Sequence, residues 1–141
     1  MEIRNANITS LIPQKPPFVM VDQCISHDEQ FTKSIFKIMA ENVLVDSGYF
    51  TGYGLIENMA QTAAIRSGIQ ALHSGEKSKT GFIGTLNNAH IYQLPEVGSE
   101  LTTTVHQTTQ VLNIIVIKAT CHCADILIAD CQMKIVLMDE F

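Results

Sequence analysis

In YGLIENMAQTAAIRSGIQAL, residues 53–72, apolar side chains recur at helical spacing. Leu55, Ile56, Met59, Ala63 and Ile69 suit one buried face of a long helix. A second face carries Glu57, Ala60, Gln61, Ala64 and Gly68 at intervals of three and four. Apart from one acid and one amide, that face is small-sided, which lets another backbone come close. The helix ends near His73-Ser74-Gly75, and residues 76–79 read as a charged, solvated loop.

On the N-terminal side of this helix, residues 6–12 form a short apolar piece of one or two helical turns. It stops at Pro13, and Pro16-Pro17 forces extended backbone. Residues 18–25 and 31–38 read as two strands of a hairpin, joined by the polar turn Ser26-His27-Asp28-Glu29. Residues 41–54 are irregular and contain Gly48, Gly52 and Gly54. On the C-terminal side, residues 81–86 form a short strand, with 89–94 another or its continuation. Residues 100–107, 111–123 and 126–138 alternate or run apolar and are rich in β-branched side chains. Cys123-Ala124-Asp125 closes the last hairpin.

One helix cannot cover both faces of so many strands. The economical solution is an antiparallel sheet wrapped around the helix, an α+β hotdog fold spanning residues 1–141 as a single domain. Charged residues make up 16% of the 141, below the ~25% usual in soluble domains. Together with exposed sheet edges, this predicts an oligomer. The net charge of −5 and the absence of a basic run argue against nucleic acid. No apolar run approaches the ~20 residues of a membrane span, and the first residues lack a secretory core, so a cytoplasmic location is expected. Without an oxidising compartment the four cysteines should be free. Cys121-His122-Cys123 alternates across a strand, so the histidine points away from both thiols, and no metal is expected.

Four segments, in order and spanning most of the chain, resemble the 3-hydroxyacyl-[acyl carrier protein] dehydratases. Leu11-Ile12-Pro13-Gln14, followed by Pro17-Phe18-Val19-Met20-Val21-Asp22, is similar to that family's opening LLPHRxPFLLVD. Leu55-Ile56-Glu57-Asn58-Met59-Ala60-Gln61-Thr62-Ala63 is similar to its central-helix motif IIEAMAQAA. Gly81-Phe82-Ile83-Gly84-Thr85-Leu86-Asn87-Asn88-Ala89 is similar to YFAGIDNA, and residues 124–137 to the family's last hairpin. The chain also resembles the dehydratase-like proteins of aryl polyene and flexirubin pathways, which share the fold. In two places it departs from the pattern. Tyr49, in Gly48-Tyr49-Phe50-Thr51-Gly52, stands where the family has the histidine of GHFPG, and the stretch from there to Glu57 is shorter. The segment after Asn88, basic in the family and used to dock carrier protein, is here His90-Ile91-Tyr92-Gln93-Leu94.

The resemblance implies dehydration of acyl thioesters, on acyl carrier protein or coenzyme A, with no cofactor. That reaction needs a base for the α-proton, an acid for the departing hydroxyl, and donors for the thioester oxygen. Glu57 is the candidate acid, and Gln61, one turn later, can orient it or hold substrate. Gly52 or Gly54 would offer helix-start amides. By the resemblance, Phe82 and Gly84 border the substrate. Tyr49 is the candidate catalytic residue of the loop, although a phenol is a poor base at neutral pH. Asp46 and His90 are lesser candidates. An acid at a helix start can also simply complement the helix dipole.

Two alternatives remain. Some hotdog thioesterases work with one helix carboxylate and no histidine, which Glu57 would satisfy. Otherwise the chain is a non-catalytic subunit that binds acyl chains or pairs with an active hotdog protein. In hotdog dimers one chain's helix acid lies near the other chain's loop. The homodimer would then lack the histidine, whereas a heterodimer could borrow one.

Overall fold

A computed structural model describes residues 6–76 and 79–138. A short helix α1 (Ile8–Leu11) precedes strands β1 (Gln23–His27) and β2 (Phe31–Lys37). A small hairpin follows, β3 (Val45–Asp46) and β4 (Tyr49–Phe50), and then the long helix α2 (Gly52–Ser74). The chain closes with β5 (Thr80–Ile91), β6 (Glu100–Val111), β7 (Ile114–Cys123) and β8 (Ile126–Met138). Six strands form one sheet in the order β1-β2-β6-β7-β8-β5, with every neighbouring pair antiparallel. This is the hotdog arrangement that the element order predicts.

The ends of α2 are written locally. The Thr51 hydroxyl accepts from the Gly54 amide at 3.3 Å, capping the first turn. Gly75 ends the helix in the left-handed conformation, φ 72°. Leu55, Met59 and Ala63 face the concave side of the sheet, where Leu101, Val105, Ile117 and Met133 complete the core. Ile65 and Ile69 join Leu11, Ile12, Val21 and Cys24 in a second cluster under α1. Gly68 lets α1 approach: a Cβ there would collide with the Leu11 carbonyl. The small face of the helix is therefore covered in part by the chain's own N-terminal segment.

Three boundaries differ from the sequence reading. The first strand begins at Gln23 and not at 18. Upstream of it, side chains of α2 bind the backbone of Phe18 and Met20, so those groups do not pair in the sheet. Val111 ends β6, and the chain reverses at Leu112 (φ 55°) and Asn113 before β7 starts at Ile114. Residues 80–91 are one strand, with register irregularities between Ile83 and Thr85 and between Asn87 and His90. Part of the charged loop at 76–79 lies outside the described residues.

β5 forms one edge of the sheet. It is exposed along almost its full length and carries Phe82, Ile83, Leu86 and Ile91. Among the described residues, no helix is long and apolar enough to cross a membrane.

Candidate functional site

Glu57 lies in the second turn of α2, and no acid occupies the first. Complementing the helix dipole therefore does not explain it, because that effect is confined to the terminal turn. Gln61, one turn further and fully buried, donates from Nε2 to Glu57 Oε2 at 2.9 Å. The same nitrogen donates to the Phe18 carbonyl at 2.9 Å, and Gln61 Oε1 accepts from the Met20 amide at 2.7 Å. Gln61 thus does two jobs: it seats the Phe18–Met20 segment on the helix and it fixes the carboxylate of Glu57.

A cavity of about 260 Å³ opens beside Glu57 between α2 and the sheet. Ala60 and Ala64 form its floor, Ile115 and Ile135 its back wall, and Phe82 its outer side. The small helix residues leave the room, and the branched strand residues keep it apolar. Glu57 and Gln14 bring polar groups to this lining, and Ser67 and Lys79 lie further along α2 and at the start of β5. A half-buried acid fixed by an amide at the wall of a cavity lined mostly by apolar residues is suited to exchange a proton with a bound ligand.

The structure brings some of the other sequence candidates to this cavity and leaves others outside it. Phe82 lines it and is 54% exposed on its far side. Gly84 is not in the lining; a Cβ there would sit 3.3 Å from Val136 Cγ2, so the glycine serves sheet packing. Gly52 and Gly54 sit at the start of α2, where close neighbours need them small. A Cβ on Gly52 would lie 2.7 Å from Ile91 Cδ1, and one on Gly54 would strike the Phe50 ring. The Gly54 amide is already engaged by Thr51. Tyr49 lies on β4, 44% exposed, bridged to Glu96, and outside the cavity lining. Asp46 accepts from the Ser47 hydroxyl at 3.1 Å within the β3–β4 turn.

His90 holds Asp130 through Nδ1 at 2.9 Å, and the Tyr92 hydroxyl donates to the other carboxylate oxygen at 3.1 Å. Asp130 lies between the buried Ala129 and Cys131, so this group stands on the outer side of the sheet, away from Glu57. Burial pushes the Cys121 thiol up to about 11 and Cys131 to about 12, which keeps both protonated and unreactive. Among the described residues no cluster of three His, Cys, Asp or Glu side chains could hold a metal.

Sequence reading missed a polar row on the helix face turned towards β2 and β6. Asn58 donates to the Met20 carbonyl at 2.8 Å and accepts from the Thr103 hydroxyl. Thr62 donates to the Asn58 carbonyl and meets Ser34 Oγ, each at 2.7 Å. Arg66 donates to the carbonyls of Asp28 and Glu29 and to the Thr32 hydroxyl. The available signal was the four-residue spacing of Asn58, Thr62 and Arg66 within an otherwise buried helix.

A protein-family model described as ApeP-like, ApeP dehydratase, matches residues 6–141. No curated protein matches the chain. Among solved structures, the dehydratase heterocomplex ApeI:P from Xenorhabdus doucetiae superposes with a TM-score of 0.91 at 15% identity, covering 97% of this chain and 94% of that one. The PaaI protein of the E. coli phenylacetic acid degradation operon gives 0.66 at 16% identity, with 80% of each chain covered. A hypothetical thioesterase with coenzyme A from Streptococcus pneumoniae TIGR4 gives 0.66 at 10% identity, covering 84% and 86%. At these identities the superpositions speak for the fold alone.

Proposed function

The chain belongs to the ApeP-like dehydratase family, and from that premise we propose that it helps remove water from 3-hydroxyacyl thioesters carried on an acyl carrier protein, in fatty acid or polyketide/aryl polyene synthesis. The observation that carries this reading is Glu57, held by Gln61 at 2.9 Å, in the wall of a cavity lined mostly by apolar residues. In this role Glu57 passes a proton to the departing hydroxyl, Gln61 keeps it aimed, and Phe82 borders the acyl chain. Amides at the start of α2, near Gly52, would hold the thioester oxygen.

The base is supplied from elsewhere in this reading, because the Tyr49 side chain is exposed on β4 and lies outside the cavity lining. We infer a second hotdog chain that joins its sheet to β5, covers the exposed Phe82, Ile83, Leu86 and Ile91, and lends a loop histidine. A named relative of this fold is a heterocomplex, which agrees with such pairing. The placement of Tyr49 also favours a second reading, in which this chain binds the acyl group and its partner does all the chemistry.

The deciding experiment follows formation of the enoyl thioester from 3-hydroxyacyl carrier-protein thioesters of several lengths. It uses this chain alone, a hotdog partner alone, and the two together. Turnover by the pair that falls with Glu57→Gln supports the dehydratase reading. Turnover indifferent to Glu57 supports the binding-subunit reading, and release of free acid in place of enoyl product would point to a thioesterase.

A further inference from the structure

The cavity beside Glu57 adjoins another at its far end. Along α2 its wall runs from Glu57 through Ala60 and Ala64 to Ser67, and no residue of α2 ahead of Glu57 lines it. From Glu57 to Ser67 the helix rises about 15 Å, at ~1.5 Å per residue. A second cavity, of about 140 Å³, follows on, and Ser67, Lys79 and Leu137 belong to the walls of both. It continues along the same helix past Gln70 and Ala71 to Ser74, and Gln110 of β6 also lines it. Ser67 on α2 and Leu137 on β8 thus flank a neck between the two spaces.

The two spaces differ in chemistry. Between Glu57 and the neck the lining is chiefly Ala60, Ala63, Ala64, Ile115 and Ile135. Beyond the neck amides and hydroxyls take over, with Gln70, Ser74 and Gln110, joined by Glu76. A methylene group gains from leaving water in the first space and gains little in the second. A hydroxyl behaves in the opposite way. Among alkyl side chains it forfeits its hydration without a partner, whereas the side chains beyond the neck can both donate to it and accept from it.

Resting on the thioester reading above, we propose that the acyl tail runs along α2 from Glu57 and leaves through the neck between Ser67 and Leu137, so that these two residues set the longest acyl group the site accepts. In that reading the thioester lies at the start of α2 and the reacting carbons lie at Glu57. The tail then points towards the C-terminal end of the helix, the direction in which the wall extends. An acyl group that outgrows the first cavity meets an opening there, and its tip passes into polar surroundings. Ser67 stands about 15 Å along the helix from the acid, so it acts on chain length and not on the chemistry at Glu57.

The test is equilibrium binding of unreactive pantetheine thioethers in a series of rising alkyl length. Full-length protein is used, alone and with its hotdog partner. Wild-type affinity should rise by roughly fourfold per methylene while the tip lies in the first cavity, then level off without rejection of longer chains. Ser67→Phe and Leu137→Phe close the neck from opposite walls. Each should bind short analogues as wild type does, which also guards against a folding defect, and lose roughly tenfold or more on long ones. Ser67→Ala leaves the neck open and should keep them. A hydroxyl placed on the tip should weaken a short analogue by roughly tenfold and leave a long one unaffected. Length profiles of both phenylalanine variants that coincide with wild type, or a hydroxyl penalty that persists at every length, overturn the role of the neck and leave the thioester reading standing. If wild type binds no analogue of any length, the thioester reading falls and takes this inference with it.

Discussion

Glu57 and Gln61 are one helical turn apart, and Gln61 Nε2 donates to Glu57 Oε2 at 2.9 Å while the rest of its amide is tied to the backbone of Phe18 and Met20. The acid is therefore aimed by a side chain that is itself immobilised.

Glu57→Gln keeps shape and hydrogen-bonding capacity but has no transferable proton. Dehydration by the assembled protein should fall by ~10²–10⁴-fold, with the unfolding midpoint close to that of wild type. Rate and melting curves measured on the same preparation separate the two effects, and full activity would exclude Glu57 from the chemistry.

Gln61→Leu removes the partners of the Met20 amide and the Phe18 carbonyl and leaves Glu57 without its donor. Each orphaned buried group costs ~1–3 kcal/mol, so urea unfolding should show a clear loss of stability. A stability equal to wild type would mean that the Phe18–Met20 segment finds other partners.

Ala64 and Gly68 belong to the same small helix face but should respond differently. Ala64 lines the cavity, so Ala64→Leu should fill space and weaken acyl binding with little change in unfolding midpoint. Gly68→Ala drives a methyl into the Leu11 carbonyl and should cost ~1–3 kcal/mol through displacement of α1. A thioether analogue reads the first variant and denaturant unfolding the second. Equal behaviour in both assays would contradict this division.

His27 has a pKa below the ordinary histidine value, chiefly because burial disfavours its charged form, with Arg66 and His73 adding repulsion. As pH falls through the ordinary range near ~6.5, the unfolded chain takes up the proton first while the folded chain resists. The stability due to this group is therefore complete above that range and is lost as pH falls towards the folded value. Unfolding midpoints at several pH values between mildly alkaline and mildly acidic should drop less steeply for His27→Asn than for wild type. Parallel profiles would show that His27 is not the cause.

How much of this was legible in the sequence depended on whether the deciding contacts were local. Residues 53–72 displayed their helical period, and the capping groups Thr51 and Gly75 lie beside them in the chain. Glu57 and Gln61 could be paired because i and i+4 neighbours share a helix face. The true start of β1 could not be read, because Gln61 and Asn58 claim Phe18 and Met20 from about forty residues away. At the turn Leu112-Asn113 the one signal was Asn113, and it was masked because Val111, Leu112 and Ile114 around it continue an apolar strand pattern. Gln14 and the bonds of Asn58 to Met20 and Thr103 were invisible for the same reason: their surroundings exist only once the sheet has closed on the helix.

The polar row of Asn58, Thr62 and Arg66 has a consequence for how the cavity beside Glu57 can vary. A helix gripped only by alkyl side chains could roll about its long axis, since such contacts have no preferred direction. Hydrogen bonds are directional, and this row engages β2, β6 and the β1–β2 turn from the side opposite the cavity. It acts as a keyway that sets the azimuth of α2, and with it the bearing of Glu57. Residues such as Ala60, Ala64 and Ile135 can then be exchanged to reshape the cavity without re-aiming the acid.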